Sequence, residues 1–294
     1  MTEIICIGSV LWDVIGHTAA DMPPGADRPG RIERLPGGVA MNIAMAVRAR
    51  GLRPRLLTHI GRDPAGEELI RAAEARDIDA SLAHRTDHLP TDQYMAIEGP
   101  EGLVAAVADA HALETAGAAI LAPMEDGRLG SASAPYEGVV AIDGNLTEAL
   151  LGEIAASPAF SRADIRLAPA SPGKAERLRP LLRHPGVTLY VNLEETGVLA
   201  GRSFEDAATA AAALRDAGVG RALVTDGGRA ACAASAAGEI VALPPATAIR
   251  RVTGAGDVFM SAHIAADLAG AEEGDAFRTA LKAAAAHVGG EPLA

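Results

Sequence analysis

The chain has 294 residues and a formal net charge of −12, and its basic side chains are scattered among acids, so it offers nucleic acid no concentrated positive face. Apolar residues make up 49% and aromatic residues 3%, so a sizeable core must be built from Ala, Val, Leu and Ile. Cys6 and Cys232 stand far apart in apolar stretches, with neither metal spacing nor a disulfide framework. Only Lys174 and Lys282 are lysines among the basic side chains; the rest are arginines. No apolar run is long enough for a membrane. The N-terminus has no basic n-region, and Asp13 interrupts the run Ile4–Trp12. The expectation is a reduced, soluble, cytoplasmic protein with no membrane partner. Distant surface charge is screened by salt, so the acidic balance does not bar an anionic ligand.

Glu3–Val10 (EIICIGSV) predicts a buried strand ending in Gly-Ser. Gly38–Arg50 is apolar at helical spacing, enters from Pro-Gly-Gly and stops at Gly51, which predicts a helix. Arg55–Ile60 is a strand candidate and Ala65–Arg76 a helix candidate. Val139–Asp143 predicts a strand, Thr147–Ala156 a helix capped by Thr147, and Asp164–Ala168 a strand. Gly173–Arg183 predicts a helix, Val187–Val191 a strand, Phe204–Ala217 a helix and Arg221–Thr225 a strand. Two helices, Asp257–Leu268 and Asp275–Val288, close the chain. Strands alternating with such helices predict βαβ units: a mainly parallel sheet with helices on both faces, a three-layer α/β/α sandwich.

Two segments break the alternation. Trp12–Leu35 carries Pro23-Pro24-Gly25 and Pro29-Gly30 between β-like pieces, and Gln93–Asp109 predicts a hairpin turning at Gly99–Gly102. Together they suggest a small β lid, residues 12–35 and 91–109, beside a core of residues 1–11, 36–90 and 110–294. A lid of this kind excludes water from a reaction centre.

Thr253–Asp257 (TGAGD) runs into the helix after it. Gly254 and Gly256 allow a tight turn and leave backbone N–H groups uncovered, at the positive end of that helix. This makes an anion site with Asp257 at or next to the N-cap; simple capping is the alternative. Three further patterns accompany it: Pro36–Asn42 (PGGVAMN) before a helix, Asn192–Glu195 (NLEE), and Gly8-Ser9 with Asp13 after the first strand.

These four motifs span Ile4 to Leu268, and in chain order they resemble the signatures of the ribokinase-like (PfkB) family of carbohydrate and nucleoside kinases. The resemblance implies an ATP-dependent transfer to a substrate hydroxyl. It makes Asp257 the general base and the amides of Gly254, Ala255 and Gly256 an anion hole for the transferring group. It places Asn192 and Glu195 in the Mg²⁺ network. Asp13, Gly37, Gly38 and Asn42 would bind sugar hydroxyls. Thr225 and Gly227 would lie in the nucleotide loop. It also implies a homodimer through the lid.

Thr91–Asp109, Asp143-Gly144-Asn145 and Pro169–Lys174 (PASPGK) look like the pseudouridine-kinase branch, as does Val252 before Thr253. That implies transfer to the 5′-hydroxyl of pseudouridine, with Lys174 facing the ATP phosphates and Gln93, Asp109 and Asn145 reading the base edges. Other sugars or nucleosides, such as ribose, adenosine or inosine, are the alternative. From another class comes a non-catalytic ligand sensor, against which the presence of Asp257 argues. A dinucleotide oxidoreductase is disfavoured, because Gly8 opens no Gly-x-Gly-x-x-Gly turn. Three positions depart from the family pattern. Arg251 stands where an Asp is usual, which leaves monovalent-cation activation open. Ala230 stands where the nucleotide loop usually has Gly, and Ala168 where an Asp often stands.

Overall fold

A computed structural model describes residues 2–291. In chain order the first elements are β1 (Glu3–Ile7), β2 (Leu11–His17), β3 (Arg31–Gly37), α1 (Val39–Ala49), β4 (Arg53–Leu57) and α2 (Pro64–Glu74). Next come β5 (Gln93–Gly99), β6 (Gly102–Asp109), α3 (His111–Ala116), α4 (Ala122–Glu125), β7 (Val139–Asp143), α5 (Glu148–Ala156) and β8 (Asp164–Ala168). The chain continues with β9 (Val187–Asn192), α6 (Leu193–Ala200), α7 (Ala207–Asp216), β10 (Arg221–Thr225), β11 (Ala231–Ser235), β12 (Gly238–Ala242), α8 (Ala255–Leu268) and α9 (Glu273–Val288).

The main sheet has eight strands in the order β12-β11-β10-β9-β8-β7-β1-β4. The six from β4 to β10 run parallel, and the hairpin β11–β12 is antiparallel. Successive residues of β1 feed opposite layers, as the two-residue period of a strand requires. Ile5 and Ile7 join Val140, Ile142, Leu150, Leu151 and Phe160 on one side. Ile4 and Cys6 join Met41, Ile43, Met260, Phe277 and Leu281 on the other. Helices α1, α8 and α9 therefore cover one face and α5 and α7 the other, the three-layer arrangement expected. A second sheet of four strands, β3-β2-β5-β6, stands beside it. It joins the two segments that break the alternation, and its hairpin turns at Gly99–Gly102 as expected.

Some boundaries differ for local reasons. The strand expected at Arg55–Ile60 is β4, two residues earlier, because β1 holds it in register from Glu3–Arg53 to Ile7–Leu57. His59 and Ile60 instead bond toward His84. The helix expected at Gly173–Arg183 is a 3₁₀ segment, Pro172–Leu181, with Pro180 inside it; a proline supplies no N–H for an α-helical bond. The helix expected from Phe204 starts at Ala207, because the Asp206 side chain caps Thr209 N. Helices α3, α4 and α6 and the hairpin β11–β12 had no forecast; β11 reads ACAAS, with no β-branched residue to mark it. Strand β2 begins at Leu11 and β3 reaches Gly37, so the small sheet extends slightly into segments expected in the core.

Candidate active site

The functional candidates collect at the carboxyl ends of the parallel strands, where open α/β sheets place ligands. Strand β1 runs into Gly8-Ser9, β7 ends on Asp143, β9 on Asn192 and β10 on Thr225. Asn192 and Thr225 are register partners.

Gly254 takes φ +82° at the N-cap of α8, a left-handed conformation that suits glycine. The helix therefore begins at Ala255, and Asp257 lies in its first turn with no capping bond, correcting the expected N-cap position. Its carboxylate accepts a 3.1 Å bond from Asn42 Nδ2 on α1, which joins the two motifs 215 residues apart. Desolvation pushes the Asp257 carboxyl up to about 7; the bond from Asn42 opposes the rise, and the charges of Asp143 and Glu195 add to it. Of the three amides expected in the anion hole, that of Ala255 bonds Val252 O at 3.1 Å. Among the described residues, those of Gly254, Gly256 and Asp257 have no backbone partner. Nothing lies within 4 Å of where a Cβ on Gly256 would stand, so no other part of the fold packs on that side of the turn. The far end of α8 is pinned to the sheet: Asp267 pairs with Arg166 at 2.6 Å and Arg221 at 2.8 Å.

Asp143, which its Asp-Gly-Asn motif gave no role, lies among these candidates. It is fully buried at the end of β7, accepts from Ser9 N at 2.9 Å and Asn145 N at 2.7 Å, and burial raises its pKa. Gly8 has no room for a side chain because Asp143 fills that space. An acid closing a wholly buried strand was the available signal. Asn145 in turn accepts from Lys174 Nζ at 2.6 Å. Lys174, the lone lysine of that segment, is thereby fixed at the strand ends.

Asn192 and Glu195 form a capping box on α6: Glu195 N donates to Asn192 Oδ1 and Asn192 N to Glu195 Oε2, both at 2.8 Å. Burial pushes Glu195 up to about 7, with the Glu194 charge adding to the rise. Among the described residues no three His, Cys, Asp or Glu side chains converge on one metal point. Thr225 ends β10 with its hydroxyl near Val191 O, and Gly227 has φ +55° with open space over it.

On the small sheet, Asp13 of β2 packs over Gly37, where any Cβ would overlap its carboxylate. Desolvation raises Asp13 to about 6. Gly38 takes φ +87° under Ser9 O, which starts α1 so that Asn42 faces Asp257. Gln93 and Asp109 are cross-strand partners in a row that continues through Trp12 to Pro36. The row holding Asp13 contains Leu35, Tyr94 and Ala108 instead. Side chains alternate along a strand, so Gln93 and Asp109 lie on the face opposite Asp13. Tyr94, absent from the residues read as candidates, shares the face of Asp13.

The chain is a phosphotransferase on the ribokinase fold, as its family and structural relatives show, and a carboxylate of raised pKa stands behind its glycine turn. Residues 1–291 match the pfkB family carbohydrate kinases, and the chain belongs to that family. Pseudouridine kinase of Escherichia coli (strain K12) is 27% identical over 263 residues, 88% of this chain and 81% of that protein. A carbohydrate kinase from Agrobacterium tumefaciens superposes with TM-score 0.81 at 26% identity, over 97% of this chain and 90% of the other. The Arabidopsis thaliana ribokinase complexed with ribose and ATP shares the fold, with TM-score 0.75 at 17% identity over 98% and 92% of the two chains. No helix among the described residues is long and apolar enough to cross a membrane.

Proposed function

We propose that the chain transfers the γ-phosphoryl group of ATP to the 5′-hydroxyl of pseudouridine. The observation that carries the reading is Asp257: a carboxylate raised to about 7, held by Asn42, one turn behind free backbone donors. As the substrate oxygen bonds to the γ-phosphorus, its proton passes to Asp257 and the bond to the leaving ADP oxygen breaks. The Gly254, Gly256 and Asp257 N–H groups donate to the charge that builds on the transferring group. The Ala255 amide would join them only by giving up Val252 O.

Mg²⁺, when bound, neutralises phosphate charge. The residues fit it: Glu195 keeps Oε1 outside the capping box and is short of a neutralising charge, and Mg²⁺ commonly keeps several waters beside one or two protein ligands. Asn192 would hold it through water, and Lys174 would meet the phosphates. Thr225 and Gly227 line the nucleotide side.

The small sheet acts as the lid over the acceptor. Asp13 takes the ribose diol with Gly37, Gly38 and Asn42 beside it. Asn145 is engaged by Lys174 and Gln93 with Asp109 lies across the sheet, so we assign the base edge to Tyr94, with the Gln93–Asp109 pair as its rival. The opposite face carries exposed Ile32, Met95 and Val107, which supports a homodimer through the lid.

A phosphorylation panel tests the reading: ATP with pseudouridine, uridine, inosine, adenosine and ribose. Pseudouridine should exceed uridine by about 10²-fold in kcat/KM, because a site built to pair with its additional ring N–H is left unpaired by uridine. Equal values would discard the pseudouridine assignment. Failure with every acceptor would discard the kinase reading in favour of a ligand sensor.

A further inference from the structure

The peptide between Thr253 and Gly254 is held from outside its own loop. His287, near the end of α9 and 8% exposed, lies with Nε2 2.8 Å from Thr253 O. Its other ring nitrogen, Nδ1, lies 2.9 Å from the guanidinium of Arg251. Arg251 also donates to His287 O at 3.1 Å and to Glu291 O at 3.3 Å. A carbonyl can only accept and a guanidinium can only donate. The two neighbours therefore fix one tautomer: Nε2 carries the proton, Nδ1 accepts from Arg251, and the ring is neutral.

A trans peptide is planar, and its N–H points opposite to its C=O. Drawing Thr253 O toward α9 therefore turns the Gly254 N–H the other way, out of the loop. The ring fits closely: a Cβ on Gly254 would lie 3.4 Å from His287 Nε2. Backbone bonds from Arg250 and Arg251 to Val288 O tie the same strand of chain to the same helix end.

We infer that His287 and Arg251 are positioning residues for phosphoryl transfer: Arg251 sets the tautomer of His287, and His287 aims the Gly254 amide at the transferring group. This rests on the kinase reading of the 253–257 loop. The amide matters most when charge develops, so misalignment should act on turnover more than on binding. A misplaced catalytic group can cost about 10²-fold in rate.

The test uses the full-length enzyme with the best acceptor of the panel. His287→Phe fills the volume without either nitrogen. It should lower kcat about 10- to 100-fold, with KM for ATP and acceptor within about threefold. His287→Gln keeps a donor for Thr253 O and an acceptor for Arg251, and should recover most of the loss. Arg251→Ala should lose kcat similarly and regain part of it with free guanidinium at concentrations too low to alter the thermal midpoint. The inference is overturned if His287→Phe keeps kcat within about threefold of wild type, or if Gln is no better than Phe. It is equally overturned if Arg251→Ala shows no rescue by guanidinium. A wild-type protein that phosphorylates no acceptor would instead remove the kinase reading, so the two failures are told apart.

Discussion

The two sheets of this molecule are built on different terms. Strand β7 of the main sheet is buried at every position, and β6 of the small sheet is exposed at every position. The main sheet is sandwiched between helices, and each large side chain buried there contributes roughly 1.5–3 kcal/mol. The small sheet has backbone pairing but little core of its own. Regions with few buried contacts open at low free-energy cost. The residues of the proposed site divide along the same line. Asp257, Asn42, Asp143, Asn192 and Glu195 stand at the ends of the rigid layer, where placement must not vary. Asp13 and Tyr94 stand on the thinly packed sheet, where the proposed acceptor would enter and leave.

The largest effect should come from the rigid layer. Asp257→Asn is expected to lower kcat by about 10²–10⁴-fold while ATP still binds. Retention of a third of the wild-type rate would remove Asp257 as base. The same carboxyl gives a signed pH dependence. A base must be ionised, so kcat/KM should rise with pH to about 7 and level off above it. Stability runs the other way. The folded pKa is raised, so its stabilising contribution is present below the ordinary carboxylate range and is lost as pH rises through about 7. At pH 8 the Asn variant should therefore melt higher than wild type, by about 2–4 °C for each kcal/mol recovered. A lower midpoint at pH 8 would show that Asp257 is held as a structural partner of Asn42.

The movable layer should answer differently. Asp13→Ala removes a carboxylate that can receive two hydroxyls, and is expected to lower kcat/KM by about 10²-fold for pseudouridine and uridine alike. Both nucleosides present the same ribose diol. Unequal losses for the two would move Asp13 from the sugar to the base.

The division explains what could be read from sequence. The main sheet was legible because β7 and the middle of β10 are continuous apolar runs, and the bounds of β7, β8 and β10 match those expected. The glycine turn into α8 was legible because Gly254, Gly256 and Asp257 have few other reasons to stand together before a helix. The length of α8 was less so, since its start depends on Gly254 adopting φ +82°. The small sheet was legible as two interruptions but not as faces. Which of Gln93 and Tyr94 accompanies Asp13 is decided by a register between strands some 80 residues apart, and one residue of slip reverses the answer. The partner of His287 was hidden for a similar reason: it lies 34 residues away at the far end of another helix.

Within the rigid layer, Glu195 should matter less than Asp257. Glu195→Gln keeps an acceptor for Asn192 N, so α6 keeps its cap. It loses the charge. The Mg²⁺ concentration for half-maximal rate should rise about tenfold, with acceptor KM unchanged. An unchanged Mg²⁺ titration would reduce the pair Asn192–Glu195 to a helix cap.

The smallest catalytic effect, and the clearest test of the small sheet, concerns its outer face. Ile32, Met95 and Val107 are 79%, 55% and 67% exposed. Register places Met95 directly opposite Val107, with Ile32 one row further out on the same face. Exposed apolar residues gathered on one sheet face mark a contact surface more often than scattered ones do. A second copy of the same face would cover them about a two-fold axis, and an interface of that kind is self-complementary. One substitution then acts twice. Val107→Glu would place two like charges in an apolar contact, and the dimer should dissociate to monomer in sedimentation or light scattering. Val107 lies away from Asp13 and Asp257, so kcat at saturating acceptor should stay within about threefold. Acceptor KM should rise, because a lid without its partner closes less often, and a competent state that is populated less weakens apparent binding in proportion. A wild-type protein that is monomeric at every concentration would remove the dimer. A Val107→Glu variant that loses kcat rather than acceptor affinity would move the outer face from closing the lid to shaping the chemistry.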